Sequence, residues 1–413
     1  MLLSDLRILG EEGEKDILIG NEQITAVYDP ANRPAGDQVK RLASDPANRP
    51  ASDPAVLSLS FPGAIAFPGL INSHDHLDFN LFPASGYKIY GNYTEWGRDI
   101  HEKNAAGIRA VLKIPLHLRT RWGLYKNLLN GFTTVVNHGE KLMTGDEPVT
   151  VFQDYHCLHS VGFEKNWKWL LNRPSGRGLP FVVHVGEGTD KAAGREIDRL
   201  VHWNLFKRPL IGVHGVAMNE AQAAFFKALV WCPASNYFLL GQTAPVDRLK
   251  EKTSILFGTD STLTAGWNSW DQIRLARKEK KVTDRELLDM LTKGAAAVWG
   301  FPNRGEIGPG QRADLVIARP GAGAESMDAF YGLNPEDFLL VLHKGKIRLY
   351  DESVSGQLSA GGLAPKGFCK IMLNDRCKYV EGNLPGLMKE IRVYNPEQVF
   401  PSMFGMGPEP VWT

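Results

Sequence analysis

The chain has few cysteines, no long apolar run and almost no net charge, and each shortage removes a class of protein. Four cysteines occur in 413 residues (Cys157, Cys232, Cys369 and Cys377), with no Cys-x-x-Cys pair among them. A thiolate zinc site is therefore not expected, and reduced thiols in the cytoplasm are. No stretch approaches the roughly 18 consecutive apolar residues of a membrane-spanning helix. The opening MLLSDLRILGEEGEKD places acidic residues where a secretory leader needs a basic start and a long apolar core. A formal net charge of +1 argues against nucleic-acid and membrane partners. With 43% apolar and 23% charged residues, the composition is that expected of a globular, soluble protein. The length suits one large α/β barrel with an accessory lobe, or two to three ordinary domains.

What is present centres on Ala64–Asp78, read as AIAFPGLINSHDHLD. An apolar run meets a Pro-Gly break, resumes at Leu70-Ile71 and ends in His74-Asp75-His76. Residues two apart on a strand face the same side, about 6.6 Å apart. Two imidazoles so placed at a strand end can converge on one metal ion through bonds of about 2.0–2.1 Å. A chance pair, or two histidines on a polar loop, remains open from this stretch alone.

Taken in order, residues 2–28 alternate around turn signals and predict two or three antiparallel strands with a hairpin at Gly20-Asn21. A near-repeat, DPANRPA at 29 and again at 45, cannot build a core and reads as an exposed insertion over 29–54. Residues 79–103 are rich in aromatics and read as a long loop. Residues 104–130 read as helix interrupted near Pro115, and GFTTVVNHG as a β-branched strand. One further strand is expected across 149–162. LPFVVHVGEG predicts a strand ending in His184, and PLIGVHG one ending in His214. Helices are expected at 167–171, 191–205, 219–228 and 246–252, with strands LVWCPASN and SILFGTDST between and after the last two. A helix over 282–299 opens on the capping box Thr283-x-x-Glu286 and stops at Gly300. This alternation predicts a parallel α/β architecture, and in an eight-stranded barrel the site gathers at the carboxyl ends of the strands. His74, His76, His184, His214 and Asp260 all fall where a strand runs out.

Three neutral imidazoles and a carboxylate can hold a divalent ion while leaving a position for water, the pattern of a catalytic site. His74, His76, His184 and Asp260 are the expected ligands, and Asp260 can also take a proton from the water. His214 is expected behind them, bonded to the nucleophile or the developing oxyanion. Glu187, three residues past His184, is placed to carry protons to a leaving nitrogen. Each residue also has an ordinary reading: His214 as a core histidine, Glu187 as a solvent-facing acid, Asp260 as a helix cap.

The set PGLINSHDH, GFTTVVNHG, HVGE, VHG, CPASN and FGTDS resembles the amidohydrolase superfamily, in particular its metal-dependent deaminases and chlorohydrolases. The resemblance implies a (β/α)8 TIM-like barrel at 64–304 with a small β-sandwich lobe built from 1–63 and return strands at 305–350, the latter opening GEIGPGQRADLVIARP. It implies one Zn or Fe ion on His74, His76, His184 and Asp260, with Glu187 and His214 catalytic, and it suggests a homodimer. The expected activity is removal of ammonia from a small amino-substituted heterocycle or amidine-like compound by hydroxide on that ion. Hydrolysis of a cyclic amide or imidazolone is the alternative, and a non-catalytic binding protein a third reading. Two features depart from the family. Only about 45 residues separate the NHG strand from His184, so the third and fourth strands are expected to be short, and no lysine stands on a fourth strand to bridge two metals. Residues 351–413 match nothing recognisable. Competing signatures fail: Cys232-Pro233-Ala234-Ser235 is not Pro-Cys-x-x-Cys, no His-Glu-x-x-His or Gly-x-Ser-x-Gly occurs, and Gly308-x-Gly310-x-x-Ala313 precedes a strand rather than opening a helix.

Overall fold

The computed structural model describes residues 1–32, 56–142, 147–174, 176, 178–363 and 366–401. Most of the 29–54 insertion lies outside the described residues. The predicted meander is present as β1 (Leu2–Ile8), β2 (Glu14–Gly20) and β3 (Gln23–Tyr28), antiparallel in sequence order. Its turn carries Asn21 in the left-handed region at φ 53°, which an asparagine tolerates. Then β4 (Ser58–Pro68) lies parallel to β1, so the apolar run 65–67 belongs to the lobe and the chain leaves it at Gly69. A side chain at 69 would meet Thr133 Oγ1 at 2.3 Å, which explains the glycine at this crossing.

Two parallel sheets follow. One holds β5 (Leu70–Asp75), β6 (Phe132–Asn137) and β7 (Thr150–Phe152). The other holds β8 (His156–Ser160), β9 (Phe181–Val185), β10 (Leu210–His214), β11 (Phe226–Trp231) and β12 (Ser254–Phe257). Strands covered on both faces read as continuous apolar runs, as FVVHV and LIGVH do. Ile71 and Val136 of the first sheet share a buried cluster with Val182, Ile211, Val213, Val230 and Leu256 of the second. The opposite faces, with Val183, Val185, Leu229 and Phe257, pack under helices in a larger cluster. At the strand ends the sheets are tied by Asp260 N donating to His74 O (3.1 Å).

The lobe is completed by β13 (Leu315–Ala318), β14 (Phe338–His343), β15 (Lys346–Asp351), β16 (Phe368–Leu373) and β17 (Arg376–Glu381). The lobe's ladder runs through nine strands in the order β16-β17-β15-β14-β13-β4-β1-β2-β3. The unassigned segment after 350 therefore supplies the lobe's edge strands. It also supplies a helix, Leu384–Tyr394, whose neighbouring Phe400 packs on Trp122 at 4.8 Å between ring centres.

Four local expectations need correction. The strand expected at 149–162 is two short ones, β7 and β8, because residues 153–155 break the ladder; this is how both strands fit into so few residues. Residues 93–103 form a helix, nucleated by Asn92, whose side chain accepts from the Thr94 and Glu95 amides. The helix expected at 219–228 spans only Glu220–Ala223, since Phe226–Ala228 are drawn into β11 between two parallel neighbours. The helix expected at 282–299 has the capping box but breaks at Thr292, leaving Asp284–Leu291 and Lys293–Trp299.

Candidate metal centre and active site

His74, His76, His184, His214 and Asp260 come together at one end of the parallel sheets, as do Glu187 and two histidines with no role assigned from the sequence, His138 and His159. His184 Nε2 lies 3.2 Å from His74 Nε2 and 3.3 Å from His76 Nε2. The proton of His184 is placed on Nδ1 by the carbonyl of His159 at 2.8 Å, so its Nε2 carries a bare lone pair toward the other two. Tetrahedral zinc with bonds of about 2.0–2.1 Å spaces neighbouring donors about 3.3–3.4 Å apart. The donors therefore fit a divalent ion. Asp260 Oδ1 lies 3.9 Å from both His74 Nε2 and His76 Nε2, and with His74 and His214 Asp260 makes a second donor group beside that of His74, His76 and His184.

Several neighbours hold these groups in place. Asp260 Oδ2 accepts from Ser235 Oγ (2.8 Å) and Thr264 Oγ1 (2.9 Å), which leaves Oδ1, bonded to the Ser261 amide (2.7 Å), facing the histidines. Asn236 Oδ1 lies 2.9 Å from His214 Nδ1, while its amide nitrogen donates to Thr243 Oγ1 at 3.1 Å. Thus CPASN, legible beforehand only as a motif, supplies one residue that fixes Asp260 and another that fixes His214. Both His214 (φ 73°) and Asp260 (φ 55°) sit in the left-handed region, a strain of about 1–3 kcal/mol each that the surrounding bonds must hold.

Burial governs the electrostatics. It drives His74, His138 and His184 well below the ordinary histidine range, and neighbouring imidazoles add to the effect. His159 is lowered to about 4, again chiefly by burial. These groups are neutral, as metal ligands must be. Burial raises the Asp260 carboxyl, but His76, His214 and the bonds from Ser235 and Ser261 outweigh it and keep the group ionised. Burial raises Glu187 to about 7, against a smaller downward pull from His214, whose Nε2 is 3.6 Å from Glu187 Oε1. That poises Glu187 to give or take a proton near neutrality.

His138 follows β6, its amide donating to Asp75 O (2.8 Å), and its ring centre lies 4.3 Å from that of His184. Neither of its ring nitrogens has a hydrogen-bond partner. His159 is the penultimate residue of β8, with its ring centre 4.9 Å from that of His184. Position near a strand end was the signal available for His159, while His138 also lay within the motif GFTTVVNHG.

A sequence model described as the Amidohydrolase family matches residues 79–329, more than half of the chain. The chain belongs to the amidohydrolase family. It is a hydrolase of C–N bonds other than peptide bonds. The amidohydrolase is 29% identical over 315 residues to a 5-methylthioadenosine/S-adenosylhomocysteine deaminase of Dictyoglomus turgidum, covering 61% of this chain and 73% of that one. A Halobacterium salinarum deaminase of the same name is 23% identical over 316 residues, with 62% and 73% covered. Among solved structures, the zinc complex of atrazine chlorohydrolase from Arthrobacter aurescens TC1 superposes with a TM-score of 0.63 at 18% identity, covering 87% of this chain and 99% of that one. A zinc-bound adenosine deaminase from Xanthomonas campestris gives 0.58 at 17%, with 87% and 97% covered. At such identities the structural likeness carries the fold, a TIM-like α/β framework. Among the described residues no helix is long and apolar enough to cross a membrane.

Proposed function

We propose that this amidohydrolase is a metal-dependent deaminase that releases ammonia from a small amino-substituted heterocycle. The eight parallel strands are read as one closed barrel over 64–304, capped by the lobe. His74, His76, His184 and Asp260 would hold one divalent ion, zinc or iron. The observation that carries the reading is the convergence of three imidazole nitrogens and a fixed carboxylate beside a Glu187–His214 pair. A bound divalent ion supplies hydroxide near neutral pH, because it lowers the pKa of its water to about 7. Asp260 Oδ1 is placed to accept a proton from the attacking water. His214, its Nδ1 held by Asn236 Oδ1, would take at Nε2 the proton that Asp260 removes from the water and so polarise the developing oxyanion, which leaves Glu187 its own proton. Glu187 then serves the departing amine. Phe79 stacks on His76 with ring centres 5.3 Å apart, giving a planar ring a flat wall to lie against.

Aminopurine nucleosides of the kind named in the relatives head the substrate panel, followed by guanine, aminotriazines and guanidino compounds. The zinc-loaded protein should release ammonia from at least one. Ring opening of a cyclic amide without ammonia would overturn deamination and leave the metal site standing.

A further inference from the structure

We propose that Lys126 is a positioning residue of the metal cradle, its ammonium clamping together the ends of β5 and the β12 loop behind the donors. The inference rests on the metal reading above. Lys126 lies on the helix Leu116–Leu129, is 1% exposed, and has no part in the chemistry just described. An ammonium so placed is costly unless several oxygens surround it. Here it donates to Asn80 Oδ1 (2.7 Å), Asp260 O (2.9 Å) and Thr259 Oγ1 (3.4 Å), with both oxygens of Asp75 at 3.5 Å.

Asp75 stands between His74 and His76, so strand alternation turns its side chain away from the face they share. Its oxygens are held by Asn80 Nδ2 (2.9 Å) and Asn127 Nδ2 (2.7 Å). Asn127 Oδ1 in turn accepts from Asn72 Nδ2 (2.9 Å), and Asn72 Oδ1 from the Thr259 amide (3.1 Å). The helix reaches this depth because residue 123 is glycine: a Cβ there would meet Leu77 O at 2.2 Å.

Two roles are possible for such a lysine, neutralising Asp75 or holding Asp260, and the distances choose between them. The ammonium is closer to the neutral oxygens of Asn80 and Asp260 than to the carboxylate. The Asp260 carbonyl belongs to a residue at φ 55°, and the bonds from Lys126 to that carbonyl and from its own amide to His74 O fix the twist that aims Oδ1 at the histidines. Loss of a group that orients ligands costs about 10- to 100-fold in metal affinity.

The test uses Lys126→Met and the charge-balanced double variant Lys126→Met/Asp75→Asn. Zinc affinity is measured by chelator competition on protein whose near-ultraviolet circular dichroism matches wild type, and the visible bands of the cobalt-loaded protein are recorded. The double variant should bind zinc about 10- to 100-fold more weakly, with altered cobalt bands. Wild-type affinity and bands in the double variant would overturn the proposal, showing Lys126 to be no more than a countercharge. Should neither variant fold, amide exchange on the wild-type protein decides: zinc loading should slow exchange over residues 123–130, and no change there would overturn it. Failure of the wild-type protein to bind zinc at all would instead remove the metal reading beneath.

Discussion

The lobe and the strand-end site both bury polar and titratable groups, and they do it in opposite ways. In the lobe several buried basic side chains face an acidic partner. Lys378 lies 2.7 Å from Asp351 and donates to Phe338 O at 2.6 Å, His343 is 2.9 Å from Asp314, and Arg348 pairs with Glu381. At the strand ends neutral imidazoles are packed against one another around one carboxylate. Ring centres of His74, His76 and His184 lie 4.9–5.2 Å apart, and His74 Nδ1 and both nitrogens of His138 lack partners. The first arrangement serves stability. The second works against it and suits a cation held in common, as strained and under-satisfied groups at functional sites do.

The sharpest way to break the contrast is His184→Ala, which removes the nitrogen common to both short contacts. Bound zinc, measured by elemental analysis, and ammonia release should both be abolished; full zinc occupancy would sink the ligand assignment. Glu187→Gln should keep the zinc and lower kcat/KM by about 10²- to 10⁴-fold. Because Glu187 titrates at about 7, wild-type turnover should decline as pH rises past that value and its acid is lost, and the variant should lack this limb. In the lobe, Lys378→Met leaves Asp351 buried with its Ser353 bonds but no countercharge, at a cost of about 3–5 kcal/mol in denaturant melts. Zinc affinity of the folded protein should be unchanged, and a fall in it would mean the two regions are coupled.

The smallest expected effect is on Glu196, which burial raises to about 7 and whose Oε1 accepts from Tyr93 Oη at 3.4 Å. Its folded pKa lies above the unfolded value, so the folded state holds the extra proton. Stability should therefore fall as pH rises from about 4.5 to 7 and stay reduced above. Glu196→Gln should flatten that slope and raise stability at pH 8 by on the order of 2 kcal/mol, read from melts at pH 5 and pH 8.

Much of the site was legible because a parallel sheet gathers its strand ends at one rim. His74, His76, His184, His214 and Asp260 were each visible as the last polar residue after an apolar run. Lys126 was not, since LHLRTRWGLYKNLL looks like a helix with solvated charges. It is buried because that helix lies between the 77–79 turn and the carboxyl-terminal helix, with residues 122–129 inside. His138 was read as part of a motif, and only its packing against His184 sets it apart.

The order of apolar runs and turns determined by itself the parallel strands, the meander and the identity of the metal-competent side chains, since each depends on neighbours a few residues away. Only the tertiary structure decided which groups support them: Ser235 for Asp260, Asn236 for His214, Lys126 for the joined strand ends. Those pairings span 22 to 134 positions, and local periodicity carries no information about which face of a buried helix will meet which distant oxygen.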